Sequence, residues 1–167
     1  QISHEDLRYF RLKDVFDALK FEISDAIIDQ ISDDYINYLP EHNHLFDGAI
    51  DILDYLKPNY KLHIITNGFA SVQSKKLNNS NIVHYFDTIT NSEMAGVKKP
   101  HPTIFDFALS LANASKEESL MIGDSYEADI IGAQEAGIEA IFFNEQNIEV
   151  ENQVLQIKHL LDLKNIL

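Results

Sequence analysis

From Lys61 onward the chain carries four short apolar runs, KLHIIT, DTIT, SLMIG and EAIFF, separated by stretches of helical periodicity. Half-exposed antiparallel strands alternate apolar and polar residues. Runs that are apolar on both faces, with helices between them, point instead to a parallel sheet covered on both sides. The expected class is therefore α/β with a Rossmann-like layout. The intervening helices are well punctuated. Pro102 opens one that carries Ile104, Phe105, Ala108 and Leu111, and Gly137 closes another that starts near Tyr126.

The start of the chain has a different character. Ser3 and Asp6 resemble a capping box, and Leu7, Phe10, Val15, Phe16 and Leu19 follow at helical spacing, which predicts a helix over 4–19. Ser24 is the candidate N-cap of a second helix carrying Ile27, Ile28, Ile31, Tyr35 and Leu39, which Pro40 stops. Two helices cannot form a core alone. With EHNH as a polar connector, the chain divides into a helical piece, 1–43, and an α/β domain, 44–167.

A formal net charge of −14 over 167 residues argues against nucleic-acid polymers as partners, since no Lys/Arg-rich face is available to displace counterions. No apolar run approaches the roughly 18 residues of a membrane span, so no membrane partner is expected. The lack of cysteine excludes disulfides and thiolate metal sites and fits a cytoplasmic location. The seven histidines show no HxxxH or HExxH spacing, which argues against zinc.

Open parallel sheets place their sites at the carboxyl ends of the strands. KLHIIT ends in Thr66, Asn67 and Gly68, a hydroxyl, an amide and unencumbered backbone N–H groups suited to a phosphate. SLMIG ends in Gly123 and Asp124, with Asp129 five residues on, and two carboxylates near one strand end suit an oxygen-ligated Mg²⁺. Between them GVKKPHP places Lys98 and Lys99 before Pro100, which biases Lys99 to extended backbone and lets it reach the same crevice. Each cluster also has a plainer reading: Asp124 as a helix N-cap, Thr66-Asn67-Gly68 as a turn, Lys98 and Lys99 as solvated charges, Glu127 as a surface acid. Their order, each tied to a strand end, favours the joint chemical reading.

ITNG at 65–68, GVKKPHPTIF at 96–105 and MIGDSYEADIIGA at 121–133 resemble the second, third and fourth motifs of the haloacid dehalogenase-like hydrolase superfamily. The run YLPEHNHLFDGAIDILDYL is most similar to the pyrimidine 5'-nucleotidase group of small phosphatases. The resemblance implies a Mg²⁺-dependent hydrolase acting on a small phosphorylated metabolite, a nucleoside monophosphate by subgroup, through an aspartyl-phosphate. It implies that Thr66, Asn67 and Gly68 bind phosphoryl oxygens and that Lys99 neutralises the nucleophile and the phosphate. Asp124 would ligate the metal, and Asp129 would orient Lys99 or join the metal. It further implies that 1–43 is the end of a helical cap and 44–167 the catalytic core.

One departure is large. The family begins with a strand ending in Asp-x-Asp, whose first acid attacks phosphorus and whose second protonates the leaving oxygen, and this chain has neither. Asp47, in the loop leaving the cap, does not follow a strand and is rejected as nucleophile. In the family that strand lies between those ending at Thr66 and Gly123. Its loss leaves unpaired buried backbone groups at about 1–3 kcal/mol each, so the missing strand is expected upstream. Two other readings stand beside the phosphatase: a metal-free haloacid dehalogenase on the same fold, and a non-catalytic phosphate-binding module. Tyr9, Phe10, Tyr35 and Tyr38 are expected in the interior of the helical piece, with stacking on a nucleobase, and a grip by Arg8 or Arg11, as the alternative. Nothing in the sequence specifies an oligomeric state.

Overall fold

The computed structural model describes residues 3–150 and 153–167, apart from the side chain of His4. The chain separates into two compact units, 1–43 and 44–167. Among the described residues no helix is long and apolar enough to cross a membrane.

The first unit is a helical pair, α1 (His4–Ala18) and α2 (Asp25–Tyr38), followed by a 3₁₀ turn at Leu39–Glu41. Ser3 caps α1, its Oγ accepting from the Asp6 N–H at 3.0 Å. Ser24 is the extended residue ahead of α2, and Pro40 falls in the 3₁₀ turn that ends the segment. The interior is small. Ile28 is fully buried, and Ser32 beneath it accepts from Arg8 Nε at 3.1 Å. The aromatics expected inside are outside instead: Phe10, Tyr35 and Tyr38 are each about half exposed. A pair of helices offers one contact stripe, too narrow to cover them.

In the second unit, α3 (Ala49–Leu56) leads to β1 (Leu62–Thr66), α4 (Ala70–Asn79), β2 (Phe86–Asn91) and the short α5 (Ser92–Ala95). There follow α6 (Pro102–Ala112), β3 (Leu120–Gly123), a wide helical turn at Tyr126–Ile131 running into α7 (Gly132–Glu135), and β4 (Glu139–Phe143). All four apolar runs are strands, and Pro102 and Gly137 sit where the punctuation placed them. A fifth strand, β5 (Leu155–Ile157), and a 3₁₀ turn at Leu160–Asn165 complete the unit.

Among the described residues every strand pairing is parallel, in two separate groups. β1 pairs with β2, aligning Thr66 with Asn91, and β3 pairs with β4 and β4 with β5, aligning Gly123 with Phe142. Ile141, Phe143 and Ile157 pack with Ile52 and Leu56 of α3 and with Leu163. Ile104 and Phe105 of α6 pack with Ala133, Ala136 and Ile138 in a second cluster that Met121 and Ile65 join. Leu120 and Ile122 face the first cluster and Met121 the second, as the two-residue period of a strand requires. β1 and β3 are not hydrogen-bonded to each other, and both are only half-buried along their length, whereas Ile141 to Phe143 of β4 are buried.

Candidate active site

The carboxyl end of β1 turns sharply. Thr66 Oγ1 accepts the Gly68 N–H at 3.0 Å, which leaves the hydroxyl's own proton free to be donated. The turn is present, and it does not occupy the hydroxyl proton that the chemical reading needs. The Gly68 N–H, expected to be unencumbered, is engaged inside the turn. Asn67 is also committed: its Oδ1 accepts from the Lys99 N–H at 2.7 Å, and its Nδ2 donates to the Lys99 carbonyl at 3.0 Å.

The Lys99–Pro100 peptide is cis. From this backbone the Lys99 side chain runs inward, where Nζ donates to the Ile65 carbonyl at 2.7 Å and pairs with Asp129 Oδ1 at 2.5 Å. The lysine and aspartate side chains are 10% and 6% exposed, so this is a buried ion pair, and removing either partner costs about 3–5 kcal/mol. One ammonium group thus ties the end of β1 to the segment that follows β3. Lys98, by contrast, is exposed, as its plain reading held.

After β3 the chain passes Gly123 to Asp124 and Ser125, both exposed. Ser125, not Asp124, is the cap of the following turn, its Oγ accepting from the Ala128 N–H at 3.3 Å. The plainer reading of Asp124 as an N-cap therefore fails. Among the described residues no hydrogen bond or ion pair engages its carboxylate. Asp129 folds back so that Oδ2 accepts from the Ser125 N–H at 3.0 Å. The turn is wide because both Asp129 and Ile130 donate to the Ser125 carbonyl, at 2.8 and 3.3 Å. Such one-residue expansions of a helix recur at functional sites.

Two glycines make this packing possible. A Cβ at Gly123 would overlap the Asp129 side chain, and a Cβ at Gly132 would lie 2.8 Å from Pro100 Cα and 3.0 Å from a Phe105 ring carbon. The loop carrying Lys99 and the helix carrying Asp129 are thereby pressed together at backbone distance.

The donor set fits a hard cation in part. Asp124 offers an uncommitted, exposed carboxylate, which suits Mg²⁺. Asp129, the other expected metal ligand, instead faces Lys99 with one oxygen and Ser125 with the other. Among the described residues no group of three or more acidic or histidine side chains is placed to hold a metal. Next to Asp124, a cleft of about 70 Å³ is lined by Phe46, Phe142, Phe143 and Asn144.

Several residues of this region carry no signal in the sequence. Asn144, 5% exposed at the end of β4, donates to the Ile148 carbonyl and to Gln156 Oε1, and accepts from the Ile148 N–H, each at 2.8 Å. Asn91, at the end of β2, accepts from the Glu93 and Met94 N–H groups. Both follow apolar runs directly, a position that marks them only after the strands are known.

A model of the haloacid dehalogenase-like hydrolase family matches residues 3–143. The chain belongs to that family. The pyrimidine 5'-nucleotidase YjjG of Escherichia coli is 36% identical over 72% of this haloacid dehalogenase-like chain and 54% of its own length. The pyrimidine 5'-nucleotidase PynA of Streptococcus pneumoniae is 34% identical over 100% of the chain and 73% of its own. The crystal structure of the HAD-hydrolase YfnB of Bacillus subtilis bound to magnesium matches with a TM-score of 0.86 at 30% identity, over 99% of this chain and 72% of that one. A 2-haloacid dehalogenase of Pseudomonas syringae matches at 0.73 and 26% identity, over 97% and 70%, so the fold by itself does not separate the two chemistries. The chain spans 54% of the length of the E. coli relative, short of two thirds.

Proposed function

We propose that this haloacid dehalogenase-like hydrolase is a Mg²⁺-dependent phosphatase of small phosphate monoesters, a nucleoside monophosphate foremost. The observation that carries the proposal is the Lys99 ammonium, held at the ends of β1 and β3 by Ile65 and Asp129, with the uncommitted carboxylate of Asp124 following the same β3. A fixed cation and a free carboxylate at strand ends suit a phosphoryl group and a divalent cation respectively.

In this reading Thr66 donates its hydroxyl proton to a phosphoryl oxygen, and Lys99 balances the charge that builds there. Asp129 holds the Lys99 ammonium in place through their buried ion pair. Asp124 would hold Mg²⁺ together with acids outside these residues. When bound, the ion neutralises negative charge at the phosphoryl oxygens and at an attacking carboxylate. An aspartate attacks phosphorus to form an aspartyl-phosphate, a second acid protonates the leaving alkoxide, and water then hydrolyses the acyl phosphate. Both acids are proposed to lie on a strand from a segment outside this sequence, seated between β1 and β3. The half-burial of those two apolar strands supports that placement. Residues 1–43 are proposed to be the later part of a helical cap, and the intact protein to be cytoplasmic.

Phosphate chemistry is preferred to dehalogenation because the exposed, uncommitted carboxylate of Asp124 suits a hard divalent cation, which dehalogenation does not require. The test is hydrolysis of p-nitrophenyl phosphate by the intact protein, with Mg²⁺ or with excess chelator, beside the Asp124→Asn variant. Chelation and Asp124→Asn are each expected to lower turnover by about 100- to 1,000-fold, equivalent to about 2.7–4 kcal/mol of lost transition-state stabilisation. Phosphate-ester turnover that survives chelator overturns the metal requirement; no ester turnover but halide release from a 2-haloacid points to the dehalogenase reading, and neither reaction to a binding module.

A further inference from the structure

The expected role of Asn67 was to touch the phosphoryl group, yet its carboxamide is turned to the backbone of Lys99. It accepts from the N–H at 2.7 Å and donates to the carbonyl at 3.0 Å of the same residue. These partners also fix which way the amide points, because an N–H needs the oxygen and a carbonyl needs the nitrogen. We infer that Asn67 is a positioning residue for Lys99, doing with a side chain what a neighbouring strand does with its backbone.

Three further contacts make Lys99 depend on this clamp. Its Nζ reaches the Ile65 carbonyl, two residues before Asn67, so the same strand end holds the residue by backbone and by side chain. On the far side, Pro100 rests against Gly132 at backbone distance. The distal end is fixed by Asp129, which is held in turn by the Ser125 N–H. The lysine is 10% exposed, so a shift of its backbone moves the ammonium within a crowded site with little room for the side chain to compensate. A displacement of about 1 Å at a reacting group can cost on the order of 100-fold in rate.

The kinetic part of the test rests on the proposed phosphatase activity. In the intact protein, Asn67→Ala is expected to lower kcat by about 10- to 100-fold with KM within about twofold. In a Lys99→Ala background the same substitution is expected to cause less than about a twofold further loss, because a positioning effect has nothing left to act on. Hydrogen exchange at the Lys99 amide is expected to be at least about tenfold faster in Asn67→Ala. A raised KM with kcat unchanged, or losses that multiply in the double variant, would mean that Asn67 binds substrate directly and would overturn the inference. If Asn67→Ala does not fold, Asn67→Asp carries the same comparison, since it keeps an acceptor for the Lys99 N–H and loses the donor to its carbonyl. If the intact protein hydrolyses no phosphate ester, the functional reading fails while the exchange rate still decides the clamp: unchanged exchange overturns it and faster exchange supports it.

Discussion

Gly123→Ala adds one methyl group at the point where β3 meets the site. A Cβ there would lie 2.6 Å from Asp129 Cγ and closer still to its Cβ and Oδ2. The obstacle is the root of the aspartate side chain, which no rotation removes. Asp129 is 4% exposed, and its two oxygens are held by Lys99 at 2.5 Å and by the Ser125 N–H at 3.0 Å. If the wide turn shifts as a body and the ion pair survives, the cost is that of overpacking, about 1–3 kcal/mol. If the pair breaks, a lysine with a 10% exposed side chain is left unbalanced and the cost rises to about 3–5 kcal/mol. Either figure is a large part of the roughly 5–15 kcal/mol that holds a domain together. The assay is urea unfolding of the intact protein at fixed m-value, with Gly68→Ala as the matched control. At Gly68 the added Cβ meets the amide end of Gln73, a long side chain that can swing away, so that variant is expected to cost less than about 1 kcal/mol. A Gly123→Ala variant within about 0.5 kcal/mol of wild type, or one milder than Gly68→Ala, would refute the claim that Asp129 is locked against β3.

Gly132→Ala brings a methyl group against the backbone of Pro100 and is expected to cost about 1–3 kcal/mol and to lower the proposed phosphatase turnover through Lys99, measured by unfolding and initial rates together. Asn144→Ala removes three hydrogen bonds of 2.8 Å from a buried amide, and a drop of about 1–3 kcal/mol with faster proteolysis within 144–148 is expected. Burial pushes the His63 imidazole below its ordinary 6.5, so the unfolded chain takes up the proton first as pH falls. The His63 contribution is then fully present above about pH 6.5 and declines below it. The thermal midpoint should fall between pH 7 and 5.5, and His63→Gln should flatten that slope.

The strands that frame the site were readable because Ile64, Ile65, Met121 and Ile122 are apolar on both faces of their runs, a pattern few other structures accept. β5 was not readable, since Leu155 and Gln156 are exposed and only Ile157 is buried, which leaves too short an apolar signal. At the site, Lys99 and Asp129 were expected to act on one another, and they form an ion pair. The turn at Asn67-Gly68 was readable, but the engagement of the Asn67 amide was not, because its partner lies 32 residues away. Asp124 and Ser125 are both good caps in isolation, and the choice of Ser125 was made by the folding back of Asp129, a tertiary fact. The aromatics of the first unit show the limit of periodicity, which finds a stripe without telling how much of it a partner covers.

The wide turn at Tyr126–Ile131 also sets how this region tolerates changes of length. Side chains on a helix rotate by about 100° per residue, so removing one position between Ser125 and Asp129 would aim the acid a quarter-turn or more away from Lys99. A point substitution at Tyr126, Glu127 or Ala128 preserves that angular setting, whereas a one-codon insertion or deletion resets it. In this stretch the number of residues, more than most of their identities, is the quantity selection has to guard.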